Sequence, residues 1–188
     1  MPSRLTIKSA EAPVREALRQ LEAEGLTTII PNRGAVVPPL SQDDIEELFS
    51  IRYLLEPEAL RRSIPHLTEE DLSRAEAILK SFMSEIGRDG RLLSWGRLNW
   101  EFHATLYSKA NQPRLMMMFR NTNNSGERYA RLQLALSNGI ERANEEHYRM
   151  LEFFRKRSIT PACNLLREHI DYARQSLSEI LYERPHIK

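Results

Sequence analysis

The chain reads as mainly α: an antiparallel helical bundle preceded by a short segment that holds one β-hairpin. Three observations predict this. Apolar residues recur at helical spacing in successive stretches from Ile45 to Leu177. Those stretches are punctuated by start and stop signals, at Ser41, Pro65, Thr68, Gly87–Gly90, Asn111-Gln112-Pro113, Asn138-Gly139 and Thr160-Pro161. Paired β-prone runs gather around one turn, Thr27–Ile30 and Ala35–Val37 on either side of Pro31-Asn32-Arg33-Gly34.

Taken in order, the first element is a helix from Pro13, where a missing N–H costs nothing in the first turn. Val14, Ala17, Leu18 and Leu21 form its apolar stripe, and Gly25 stops it. The hairpin follows. A helix leading into a hairpin is the second half of a winged helix-turn-helix, so residues 1–38 are expected to be a partial module of that kind. Pro38-Pro39 stiffens a short linker. Residues 39–188 are the helical domain. Its first helix is capped by Ser41, with Asp43 and Asp44 in the first turn. Ile45, Leu48, Phe49, Arg52, Leu55 and Ala59 form its stripe, and Pro57 is expected to bend or split it. Thr68-Glu69-Glu70-Asp71 reads as a capping box that opens a helix with Leu72, Ala75, Leu79, Phe82 and Ile86 inward. Further helices are expected over about 92–109, 115–136 (with a weak spot at Ser125-Gly126), 140–157 and 160–182.

The bounds on function are broad. The length of 188 residues suits one domain, or one and part of another. A net charge of +1 sets up no strong field for nucleic acid or anionic membrane. The first forty residues are close to charge balance, thin for a DNA-binding module. No apolar run is long enough to cross a bilayer, and Met1–Ala10 has no apolar core of a signal peptide. The single cysteine, Cys163, excludes an internal disulfide and a multi-thiolate metal site. A cytoplasmic protein is expected.

Chemistry concentrates on three histidines. His103 lies one turn after Asn99 on a stripe with Phe102 and Leu106; His147 lies among Ile140, Leu151 and Phe154; His169 lies among Leu165, Leu166, Ala173 and Leu177. One such ring is ordinarily a satisfied core residue. Three on three helices, with an asparagine beside the first, could instead hold a zinc, nickel or similar ion, as helical bundles do with inward side chains. Arg52 is the other anomaly. A guanidinium on an apolar face needs an anion. Either Glu56, one turn on, or the carboxylate of a ligand would serve.

Two resemblances add to this. Ala12-Pro-Val-Arg-Glu-Ala-Leu18, Leu21-Glu-Ala-Glu-Gly-Leu26 and Asn32-Arg-Gly-Ala-Val-Val37 resemble the recognition helix and wing of GntR-type bacterial transcription regulators. The resemblance implies that the Pro13 helix enters the major groove of operator DNA, with Arg15, Arg33 and Gly34 as DNA-binding residues. Two departures are plain. The family's helix opens with Ser-Arg where this chain has Ala10-Glu11, and its module begins with further helices that this chain lacks. Residues 41–183 resemble the FCD ligand-binding domain found downstream of such modules. The carrying residues are Arg52 with Leu55-Glu56, Asn99-Trp-Glu-Phe-His103, Asn111, Glu146-His147 and Glu168-His169. That domain holds a divalent metal on an Asp and three His and binds a small organic acid against it. By position His103, His147 and His169 take the histidine places, Asn99 takes that of the Asp, and Arg52 is the effector-binding residue. A neutral Asn in place of Asp weakens the metal's Coulomb attraction.

The resulting expectation is a ligand-sensing transcription regulator, not an enzyme: a homodimer binding operator DNA and a small carboxylate effector, with zinc or nickel as cofactor. A sensor domain with no DNA role is the alternative. A metal-dependent hydrolase is the third reading, weakened because Glu101 and Glu146 are expected to point off the ligand face.

Overall fold

The structure, a computed structural model, describes residues 11–31, 34–85, 91–122, 129 and 139–183. It divides into two compact units, Met1–Pro39 and Leu40–Lys188.

In the first unit, helix α1 (Glu11–Ala23) is followed by strands β1 (Thr28–Ile30) and β2 (Gly34–Val36), paired antiparallel with Ile29 opposite Ala35. α1 ends in a Schellman motif. Gly25 adopts φ +74, and the Gly25 and Leu26 amides donate to the carbonyls of Glu22 and Leu21. The Glu22 carboxylate then accepts from the Ile29 amide at 2.7 Å, tying the hairpin to the helix. The predicted apolar stripe of α1 is only partly covered: Leu18 and Leu21 are half-buried, while Val14 is 55% exposed.

The second unit is the helical bundle that the sequence predicts. Its helices are α2 (Gln42–Ser63), α3 (Glu69–Glu85), α4 (Arg91–Tyr107), α5 (helical over 113–122), α6 (Gly139–Arg155) and α7 (Ile159–Glu183). A 3-10 turn, Ile64–His66, links α2 to α3. The predicted caps form. The Asp44 amide donates to Ser41 Oγ at 3.1 Å. At α3 the box closes both ways: the Asp71 amide donates to Thr68 Oγ1 at 3.2 Å, and the Thr68 amide to Asp71 Oδ2 at 2.8 Å. α6 ends with Arg157 at φ 53, again with Schellman bonds, to Phe154 and Phe153.

Pro57 does not split α2, which runs unbroken through it. The residues around it, Glu56, Ala59 and Leu60, are buried, and the Pro57 carbonyl accepts from the Cys163 thiol of α7 at 3.4 Å. Packing on both sides offsets the lost backbone bond. Four other expectations, on Ile86, Arg33, the Gly87–Gly90 loop and the 115–136 helix beyond residue 122, fall outside the described residues, apart from the helical Tyr129.

α2 packs chiefly on α7, α3 on α4, and α6 on both α7 and α3, with α2 also touching α4. The core follows from the stripes: Ile45, Leu60, Leu79, Phe102, Leu151, Phe154 and Leu166 are all at most 2% exposed. α4 joins α5 through aromatic contact, with Trp100 stacked on Phe119 at 5.0 Å and Tyr107 edge-on to it at 4.9 Å. Because α4, α6 and α7 line one interior, the inward residue of each helix can meet the others.

Candidate metal centre

α4 places Asn99, His103 and Tyr107 one turn apart on its buried side, between Phe102 and Leu106. α6 contributes His147 and its neighbour Glu146, and α7 contributes His169. All three imidazoles are buried, and one ring nitrogen from each lies within 4.8 Å of those of the other two. Ring centroids are 5.0 Å apart for His103–His147, 4.9 Å for His147–His169 and 5.6 Å for His103–His169. The three histidines read from the sequence therefore converge.

Buried polar atoms ordinarily find partners. Here His103 Nε2, His147 Nε2 and Asn99 Oδ1 are buried with no hydrogen-bond partner. Each can present a lone pair to a cation, the histidines in their Nδ1–H form. The donor chemistry thus fits a divalent ion of the zinc or nickel kind. Nitrogens around one zinc stand about 3.3 Å apart, so small side-chain rotations would close the set. Burial, then the neighbouring rings, holds His103 and His147 well below the ordinary imidazole range; Arg52 adds to the effect on His103. Neutral imidazole is the form that binds metal.

The partners of the rings were largely missed by the sequence reading. His103 Nδ1 lies 3.1 Å from the Tyr107 hydroxyl, which donates to Glu56 Oε2 at 2.8 Å. Glu56 Oε1 in turn accepts from Arg52 Nε at 2.6 Å. On the other side, His169 Nδ1 lies 2.7 Å from Glu146 Oε2, and Arg142 Nε donates to Glu146 Oε1 at 2.7 Å. The expectation that Glu146 points off the ligand face is corrected. Its side chain is long enough to reach round α6 to the ring that α7 presents. Burial works against its charge, but the His169 and Arg142 bonds outweigh that and hold its carboxyl below the usual range. Burial, then Glu56, pushes the Tyr107 phenol well up.

Arg52 takes the nearer of its two candidate partners, Glu56, and lies over the Phe49 ring at 5.1 Å. Burial opposes its charge, and Glu56 more than compensates, raising its pKa. Of the DNA-binding candidates, Arg15 is exposed on α1. Gly34 opens β2 at φ +88, with nothing within 4 Å of where a Cβ would sit. Arg33 lies outside the described residues.

A family model, the FCD domain, matches residues 47–172. A solved GntR family regulator from Pseudomonas syringae pv. tomato str. DC3000 is 35% identical, with a TM-score of 0.64, over 92% of this chain and 72% of that one. The chain therefore belongs to the GntR family of transcriptional regulators, in the branch that carries an FCD domain. The HTH-type transcriptional regulator YdhC of Bacillus subtilis (strain 168) is 26% identical over 93% of this chain and 78% of its own length. BphR of Paraburkholderia xenovorans (strain LB400) is 30% identical over 84% of this chain and 66% of its own. The E. coli McbR/YncC structure has the same fold, with a TM-score of 0.74 at 22% identity, over 97% of this chain and 89% of that one. These proteins are regulators and not enzymes, and the hydrolase reading falls with that. Among the described residues no helix is long and apolar enough to cross a membrane.

Proposed function

We propose that this chain is an effector-responsive regulator whose helical domain, residues 39–188, holds a divalent metal on Asn99, His103, His147 and His169. The observation that carries the reading is the set of partnerless buried acceptors on the cluster, His103 Nε2, His147 Nε2 and Asn99 Oδ1. When bound, zinc or nickel supplies Lewis-acid attraction for the oxygens of a small organic acid. The histidines hold the ion, and Asn99 offers a neutral carbonyl oxygen. Arg52 adds positive charge for the effector's carboxylate at the α2 side of the site. The effector shifts the bundle only as far as it binds two packings unequally. As a cytoplasmic homodimer, the protein would pass that shift to two DNA-binding heads formed by residues 1–38.

Metal analysis of the purified protein, then calorimetry with zinc and with small carboxylates, tests the site. Arg52→Lys keeps the charge opposite Glu56 but loses the planar fork. It is expected to weaken a bound carboxylate by about tenfold, the value of one charge-assisted bond, with little change in zinc affinity. Carboxylate binding indifferent to Arg52 would remove it from the effector site.

The DNA role is tested separately. Glu11→Arg turns a charge that repels phosphate into one that attracts it, and is expected to steepen the salt dependence of operator binding by about one phosphate contact. The alternative is a sensor domain that binds no DNA. DNA binding that stays unmeasurable in Glu11→Arg would select that alternative.

A further inference from the structure

Two buried relays reach the histidine cluster, and each is held from behind by an arginine. In the first, the Tyr107 hydroxyl has one proton and gives it to Glu56. Toward His103 Nδ1 the oxygen can therefore only accept, so the imidazole proton sits on Nδ1. In the second, His169 Nδ1 faces the Glu146 carboxylate, which accepts only, so the proton again sits on Nδ1. In each ring Nδ1 is engaged by its partner, and Nε2 is the nitrogen on the other side. For His103 this is the buried atom that no protein group meets.

The charge balance adds a second point. Three neutral imidazoles and the Asn99 amide carry no formal negative charge, and a buried dication without a counter-charge is costly. Among the described residues, Glu146 hydrogen-bonds a ligand ring directly, His169, and Glu56 reaches His103 by way of Tyr107. Glu146 is itself pinned. Arg142 takes its other oxygen, and the Arg142 guanidinium lies 3.6 Å over the Tyr172 ring.

We propose that Glu146 and the Tyr107–Glu56 pair are positioning residues of the metal centre: they fix His169 and His103 as Nδ1–H tautomers with Nε2 turned to the ion, and Glu146 supplies through His169 the negative charge that neutral Asn99 does not. This inference rests on the metal reading above. Hydrogen bonding of a ligand imidazole to a carboxylate sets its orientation and raises its basicity. A negative charge in the ligand set and one at the far side of a ligand ring thus do related work, and they should partly substitute for one another.

The test uses zinc alone, titrated into the full chain by calorimetry against a competing chelator. Glu146→Gln keeps an oxygen for the His169 N–H and removes the charge; it is expected to weaken zinc by about 10–100-fold. The double variant Asn99→Asp with Glu146→Gln is expected to recover most of that loss, which a merely structural role for Glu146 would not produce. In the metal-free wild type, nitrogen-15 NMR of the rings is expected to show the Nδ1–H form for His103 and His169. Tyr107→Phe is expected to release His103 from it and leave His169 unchanged. Wild-type zinc binding that Glu146→Gln leaves intact, or Nε2–H rings in the wild type, overturns this proposal alone. A wild type that binds neither zinc nor nickel overturns the metal reading, and the charge role of Glu146 with it.

Discussion

His103→Leu is expected to lower zinc affinity by about a hundredfold or more while leaving the metal-free fold near its wild-type stability. The affinity side follows from ligand count. Binding free energies of about 10–16 kcal/mol shared among four donors come to roughly 3 kcal/mol for each. The stability side follows from the hydrogen bonds of the ring. The buried His103 Nε2 meets no partner, so without metal it already carries a desolvation cost of about 1–3 kcal/mol. Leucine removes that atom. It also removes the Nδ1 contact to Tyr107, worth about 1 kcal/mol, but the Tyr107 hydroxyl still has Glu56 as acceptor. The two changes oppose one another. Thermal unfolding with and without zinc, beside calorimetry, reads both. Zinc at a hundred times the wild-type Kd should raise wild-type stability by about 2.7 kcal/mol and that of the variant by about 0.4 kcal/mol or less. A variant that is badly destabilised with chelator present would make His103 a core residue rather than a ligand.

The contrast between what the sequence revealed and what it hid has one physical pattern. Features set within a single helix were legible. The reciprocal bonds of Thr68 and Asp71, the Ser41 cap and the inward placement of all three histidines depend on spacing along one element, which the helical period dictates. That Pro57 leaves α2 unsplit was not legible, because its local cost is fixed, whereas the compensation comes from burial against α7, a contact made 106 residues away. The hairpin was legible because its turn residues lie between its strands.

The same divide runs through the site. Arg52–Glu56 and His103–Tyr107 are pairs at helical spacing, and the first was weighed as such. The link that joins them, Tyr107 to Glu56, spans 51 positions and two helices, so no periodicity could expose it. The angle of Glu146 on α6 is a property of its Cα. Its partner His169 arrives from α7, and the pairing is a property of how the two helices pack. The Asn99 departure was readable as a missing charge. Where the replacement charge could come from was not, since Glu146 belongs to another helix.

Glu56→Ala carries the other large effect, which in the metal-free protein falls on the fold. Glu56 is 1% exposed and answers two groups at once, the Arg52 guanidinium and the Tyr107 hydroxyl. Truncation leaves Arg52, whose side chain is 16% exposed, as a mostly buried cation without its counter-charge, and Tyr107 as a buried donor without an acceptor. Removing one partner of such a pair costs about 3–5 kcal/mol. Against a total stability of about 5–15 kcal/mol that is a large fraction. For a chain of this length it corresponds to a fall in Tm of roughly 6–20 °C. Glu56→Gln keeps an oxygen for Tyr107 and loses only the charge, so it should cost less, about 1–3 kcal/mol. The sharper check is the double variant Arg52→Met with Glu56→Leu. Replacing both charges by apolar groups of similar size removes the uncompensated cation, and should recover much of the loss seen in Glu56→Ala. Chemical unfolding of the three variants with chelator present measures this without interference from metal. A Glu56→Ala protein within about 1 kcal/mol of wild type would mean that water reaches Arg52 freely, as for a surface pair.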